Sequence, residues 1–169
     1  MHPYCALAKA AVEQFIESRT IAEPPLPLPQ DLQRPAACFV SIHKQSGELR
    51  GCIGTVQPME PDLAHEVIRN AIAAASRDPR FAPLSSSELV GLDYSVDILA
   101  APEPVGSIAD LDPKQFGVLV VSGIKRGLLL PDLAGVDSAG MQLAIAMEKG
   151  RIAATEAYQV FRFRVERFH

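Results

Sequence analysis

Two apolar, strand-like runs, residues 36–43 and 49–56, are separated only by Lys44-Gln45-Ser46-Gly47-Glu48. So short a gap, with a Ser-Gly pair at its centre, predicts a β-hairpin. Any fold for this chain must therefore hold two adjacent antiparallel strands and cover one of their faces. With Ser46-Gly47 as a two-residue turn, Gln45 pairs with Glu48, His43 with Arg50, and Ser41 with Cys52. Side chains alternate along a strand, so Phe39, Ser41, His43, Arg50 and Cys52 share one face. Cys38, Val40, Ile42 and Ile53 share the other, which reads as core.

Helical and extended periods alternate along the rest of the chain. Pro3 stands at a first-turn position, and Leu7, Ala8, Ala11, Val12, Phe15 and Ile16 recur at helical spacing. Residues 23–35 (EPPLPLPQDLQRP) predict a stiff, extended connector along the surface. Pro61 opens a second helix whose stripe is Leu63, Ala64, Val67, Ile68, Ala71, Ile72 and Ala75, ending near Asp78-Pro79. Ser85-Ser86-Ser87-Glu88 fits a capping box. Leu92, Tyr94, Val96 and Ile98 alternate with Asp93, Ser95 and Asp97, the pattern of a half-buried strand. Strands follow at 117–122 and 127–130, joined by the basic turn Gly123-Ile124-Lys125-Arg126. A helix over 137–149 closes on Gly150, and a last strand alternates Phe161, Phe163 and Val165 with Arg162, Arg164 and Glu166. This order predicts an α+β fold, with a largely antiparallel sheet flanked by helices.

The 169 residues suit a single domain over 1–169, with room for a larger and a smaller lobe. A net charge of −4 and scattered basic residues argue against a nucleic-acid or anionic-membrane footprint. No uncharged apolar stretch reaches bilayer length, and no secretory leader is visible at the start. Three widely spaced cysteines make a poor disulfide framework, so a reducing cytoplasm is the expected setting.

Chemistry concentrates at Leu49-Arg50-Gly51-Cys52-Ile53-Gly54. The hairpin sets His43 and Cys52 as diagonal neighbours, with Cα atoms roughly 7 Å apart. A thiol beside an imidazole and a guanidinium gains thiolate character and becomes a nucleophile. Gly51 and Gly54 would leave room for a ligand or a second backbone. The plainer reading of the same stretch is a small buried hydrophobe flanked by bulge glycines. Asp78-Pro79-Arg80-Phe81 is the second candidate: Arg80 offers a fork to a carboxylate or phosphate, or closes an internal salt bridge. His65-Glu66 lacks the second histidine of a zincin helix, and residues 117–125 (GVLVVSGIK) lack the Gly-Lys-Ser/Thr ending of a phosphate loop. Cys38, His43 and Cys52 make a weak metal set, because Cys38 faces away from the other two. Neither a metal nor a cofactor is expected.

Together, LRGCIGT, DPRF followed by Ala82-Pro83-Leu84, YSVDIL, GVLVV with GLLLP, and a terminal YQVFRF resemble the AMMECR domain family. The resemblance covers nearly the whole chain, in the family's order. Bacterial and archaeal members are labelled AmmeMemoRadiSam system protein A. It implies a two-lobed α+β fold with an interlobe cleft, and an association with Memo-type and radical-SAM proteins. It also carries a possible active-site role to Cys52, together with Arg50, Gly51 and Gly54 from the same motif, and Asp78 and Arg80 from DPRF. One departure stands out. The family's Cys-x-Lys-Ala-Gly segment and nearby tryptophan are replaced here by AMEKGRIAATEAY, leaving Cys52 as the only thiol in a family motif. Two functions then compete. One is small-molecule binding in the cleft, with thiol-dependent catalysis by Cys52 assisted by His43, and with Arg50 and Arg80 holding an anionic group. The other is a non-catalytic interaction module.

Overall fold

The computed structural model describes residues 1–169 and divides into two compact units, Met1–Ile98 with Glu166–His169, and Leu99–Val165. No helix is long and apolar enough to cross a membrane.

In the first unit, helix α1 (Pro3–Ser18) begins with Pro3 in its first turn, where a missing N–H costs nothing. Strands β1 (Cys38–Lys44) and β2 (Leu49–Gly54) form the expected antiparallel hairpin. Helix α2 (Leu63–Ser76) is capped by Asp62, whose carboxylate accepts from the His65 N–H, so Pro61 precedes the cap instead of opening the helix. Strand β3 (Leu92–Leu99) pairs antiparallel with β1.

The predicted last strand is two. Beyond β4 (Glu103–Pro104), β5 (Gly117–Ser122) and β6 (Lys125–Leu129) come α3 (Ala139–Lys149), β7 (Gln159–Phe163) and β8 (Val165–Phe168). The break at Arg164 sends β7 and β8 to different sheets, ordered β2-β1-β3-β8 in one and β4-β7-β5-β6 in the other. A continuous alternation of apolar and charged residues hides such a break, because each half keeps its own period of two.

The first core is built as the pattern demands. Cys38, Val40 and Ile42 from β1 join Tyr94, Val96 and Ile98 from β3, all covered by the apolar stripes of α1 and α2. Val118, Val120 and Leu129 meet Ala146 and Met147 of α3 in the second unit. Gly150 follows α3 as expected, yet its φ of −80° is right-handed, and the left-handed turn falls on Arg151 at φ 53°. Glycine is needed at 150 for another reason: a Cβ there would stand 2.7 Å from the Gly127 nitrogen of β6. The basic turn also tightens to Gly123-Ile124, so that Lys125 and Arg126 belong to β6.

Candidate functional site around Cys52

The hairpin pairs Ser41 with Cys52, as the alternation requires, but its register shifts between Ile42 and His43. His43 therefore lies opposite Leu49, and Arg50 is the additional residue of a bulge, not the partner of His43. The two-residue count fails at the turn itself, where the Lys44 N–H, and not Gln45, meets the Glu48 carbonyl around the three residues Gln45-Ser46-Gly47; the bulge at Arg50 then restores the count, so Ser41 still meets Cys52.

Strand β2 is the edge of its sheet, which would leave a row of backbone groups open. The turn after α2 closes that edge. Asp78 accepts the Cys52 N–H at 2.8 Å, and Arg80 donates from Nη2 to the Cys52 carbonyl at 3.4 Å. Both backbone groups of Cys52 thus point away from β1, so Ser41 and Cys52 form a non-hydrogen-bonded pair with closely spaced side chains. The Ser41 hydroxyl duly donates to the Cys52 sulfur at 3.2 Å.

Asp78 is the centre of this brace. Its carboxylate also accepts from the Arg80 N–H, from Nε at 3.0 Å and from Nη2 at 2.7 Å. The Arg80 guanidinium pulls the Asp78 carboxyl down from its ordinary 3.8 to about 2, and the Cys52 N–H adds to the effect. Asp78 is almost fully buried, whereas the Arg80 side chain is 56% exposed and its Nη1 engages no acceptor. Of the two roles open to Arg80, the internal salt bridge is present, and half of the fork still faces outward.

Arg50 does something different from what its place beside the cysteine suggests. Its side chain is only 11% exposed and donates from Nε to Glu88 at 2.8 Å. Glu88 in turn accepts from the Ser85 N–H and hydroxyl, completing the expected capping box on a single 3-10 turn, Ser86–Glu88. Arg50 holds the Glu88 carboxyl down at about 2. Phe81 lies between the two cations, 5.8 Å from the Arg50 guanidinium and 5.4 Å from that of Arg80.

The glycines are explained by packing. A Cβ on Gly51 would overlap the Ala74 carbonyl oxygen of α2, and one on Gly54 would overlap the ring of Phe39, its cross-strand partner. The room expected for a ligand beside Gly51 and Gly54 is filled by the protein itself.

Burial pushes the Cys52 pKa above its ordinary 9.0, against the Ser41 hydrogen bond and the Arg80 charge, while Asp97 and Asp78 add to the rise. The lowered thiol expected from Arg50 and His43 is not what this setting produces. His43 shares the face of Ser41, since β1 and β3 pair without a break, but no hydrogen bond joins it to Cys52. Cys5 and Cys38 are fully buried, and burial lifts Cys38 to about 12. Cys38 lies on the core face, where the Asn70 amide donates to its carbonyl, and no group of three or more His, Cys, Asp or Glu side chains is placed to hold a metal ion.

Two further residues complete this face. Ser95 lies across from Ser41 on β3, extending the row Cys52–Ser41–Ser95. Asp97, 3% exposed, takes both Nε and Nη2 of Arg167 at 2.7 and 2.9 Å. The alternation along β3 correctly put Ser95 and Asp97 opposite the core, but both are buried, so the strand is covered on two faces. The unmatched signal was Arg167 on β8, the cation that makes a buried Asp97 tolerable.

Comparison with known proteins gives one consistent answer. The AMMECR1 family model matches residues 5–168. A Thermotoga maritima protein is 48% identical over 99% of this chain and 97% of its own length. A Clostridium acetobutylicum protein is 44% identical over 98% of this chain, which spans 35% of that longer protein. Among solved structures, the uncharacterized protein PH0010 from Pyrococcus horikoshii matches with a TM-score of 0.88 and 28% identity, over 97% of this chain and 88% of that one.

Proposed function

The chain belongs to the AMMECR1 family, and from that premise we propose that it binds a small molecule at the sheet face around Cys52. The observation that carries this reading is the outward half of Arg80. A guanidinium locked in place by a buried carboxylate keeps its Nη1 donors free beside Cys52, whose side chain is hydrogen-bonded by Ser41. A preorganised fork of this kind suits a carbonyl, carboxylate or phosphate oxygen. Arg50 is spent on Glu88 and supports the site by fixing the bulge and Phe81.

The raised thiol favours binding over nucleophilic attack in the free protein. Thiol-dependent chemistry would be a second stage, reached when a bound group strips the Cys52 proton or His43 turns toward it. Memo-type and radical-SAM proteins enter as partners on family grounds, in which case the same face serves an interaction module.

Iodoacetamide alkylation tests the site. In the folded protein Cys52 is expected to react before Cys5 and Cys38, and more slowly than in the urea-unfolded chain at every pH below 9. The rate should keep rising beyond pH 9, where a free cysteine levels off. A ligand from a panel of small carboxylates and phosphates should slow this reaction and raise the melting temperature of wild type, with both effects reduced in Arg80→Gln. No modification of Cys52 until unfolding would mean a closed site and would sink the proposal.

A further inference from the structure

A cavity lies on the helical side of the first unit, away from the Cys52 face. It is a half-open hollow of about 320 Å³ between the end of α1, the segment after it and α2. Its wall is apolar: Phe15 from α1, Ile21 after it, and Ile68 and Ile72 from α2. Ile21 stands at 67% exposure although its side chain lines an apolar hollow. At roughly 30 Å³ per water, the volume equals that of about ten waters, within the lower range of small-molecule sites.

Four polar side chains also line it, and their pairing decides what would enter. Arg69 is tied to Glu60, and His65 Nδ1 lies 2.8 Å from Asp62 Oδ1, so both side chains already have a polar partner. Arg77, just past the end of α2, has no carboxylate partner. Arg19 sits over the Phe15 ring at 5.6 Å and likewise has none. Among the lining side chains Glu60 offsets Arg69 and Arg77 is left over, so the unpaired charge in the lining is positive, and it borders an apolar wall.

We propose that this cavity is a binding site for a small amphipathic carboxylate, an acid whose apolar tail packs against Phe15, Ile21, Ile68 and Ile72. Its head accepts from Arg77, a charge-assisted hydrogen bond at the solvent side of the pocket. The chemistry follows from the mismatch. An apolar occupant alone would gain nothing from the exposed Arg77, and a short polar anion would leave the wall bare. A carboxylate with about eight carbons satisfies both.

Octanoate is the probe, titrated into the full chain labelled with nitrogen-15. Amide shifts are expected at Ile21, Ile68, Ala73 and Arg77, saturating with one site. Octan-1-ol should bind about tenfold more weakly, and Arg77→Gln should weaken octanoate about tenfold while leaving octanol unchanged. Ala73→Phe fills the hollow and should abolish both, with folding verified by its spectrum. If Ala73→Phe does not fold, the octanol comparison and Arg77→Gln decide alone. Equal binding of octanoate and octanol, insensitivity to Arg77→Gln, or shifts mapping to the Cys52 face would each overturn the assignment, as would no shifts at millimolar octanoate.

Discussion

Gly51→Ala is expected to destabilise the first unit by about 2 kcal/mol, although it adds one methyl group. In a strand, alanine normally gains over glycine, because it has less backbone freedom to lose on folding. Here that gain is outweighed. The new Cβ would meet the backbone carbonyl of Ala74, which cannot swing aside as a side chain would. Either α2 lifts from the sheet or β2 retreats from β1, and overpacking of this sort costs about 1–3 kcal/mol. The Ser41–Cys52 contact and the Asp78 brace both depend on where β2 lies, so the cost extends into the site. Thermal melting measures it, at about 2–4 °C per kcal/mol for a chain of this size. Gly106→Ala is the control: nothing lies within 4 Å of its added Cβ and its φ is not positive, so its melting point should hold or rise slightly. Equal melting points for the two variants would show that α2 does not hold Gly51 this closely.

Much of this architecture was legible because hydrophobic periodicity is a local code. The stripe of α1, the inward row Cys38–Val40–Ile42 and the capping box at Ser85–Glu88 all follow from spacing within a few residues. What stayed hidden depends on contacts made far along the chain. Arg50 reads as a cofactor to the thiol until Glu88, thirty-eight residues later, takes its guanidinium. Gly51 and Gly54 read as an open approach until Ala74 and Phe39 occupy the space. Residues 161–166 read as one strand because a break at Arg164 leaves the alternation intact on both sides. DPRF was correctly singled out as a motif. Its function as a clasp on the β2 edge needed the fold, since no property of the turn itself says which strand it will reach.

Asp78→Asn is expected to have the larger effect, because that clasp has a charge at its centre. Asparagine keeps the size but offers one acceptor oxygen where the carboxylate serves the Cys52 N–H and three donors of Arg80. Breaking a buried pair by removing one partner costs about 3–5 kcal/mol, and Arg80's half-exposed position puts this case at about 3. Acid should reproduce part of the loss in wild type. The Asp78 carboxyl is held at about 2 in the folded protein against an ordinary 3.8. A group whose pKa falls on folding contributes stability above its unfolded value and loses it as pH drops through the folded one. The contribution is therefore complete above about pH 4 and gone below about pH 2. It amounts to about 1–2 kcal/mol after allowing for solvent around Arg80. Urea denaturation at pH 6, 4, 3 and 2.5 should show wild type losing stability steeply across that window. Asp78→Asn should start lower at pH 6 and fall less, because it lacks that titrating carboxyl, while Glu88 still titrates in both proteins. Iodoacetamide gives an independent reading at pH 8, where the variant's Cys52 should react faster as the β2 edge loosens. Parallel acid curves for the two proteins would show that the Asp78 charge contributes nothing to holding the strand.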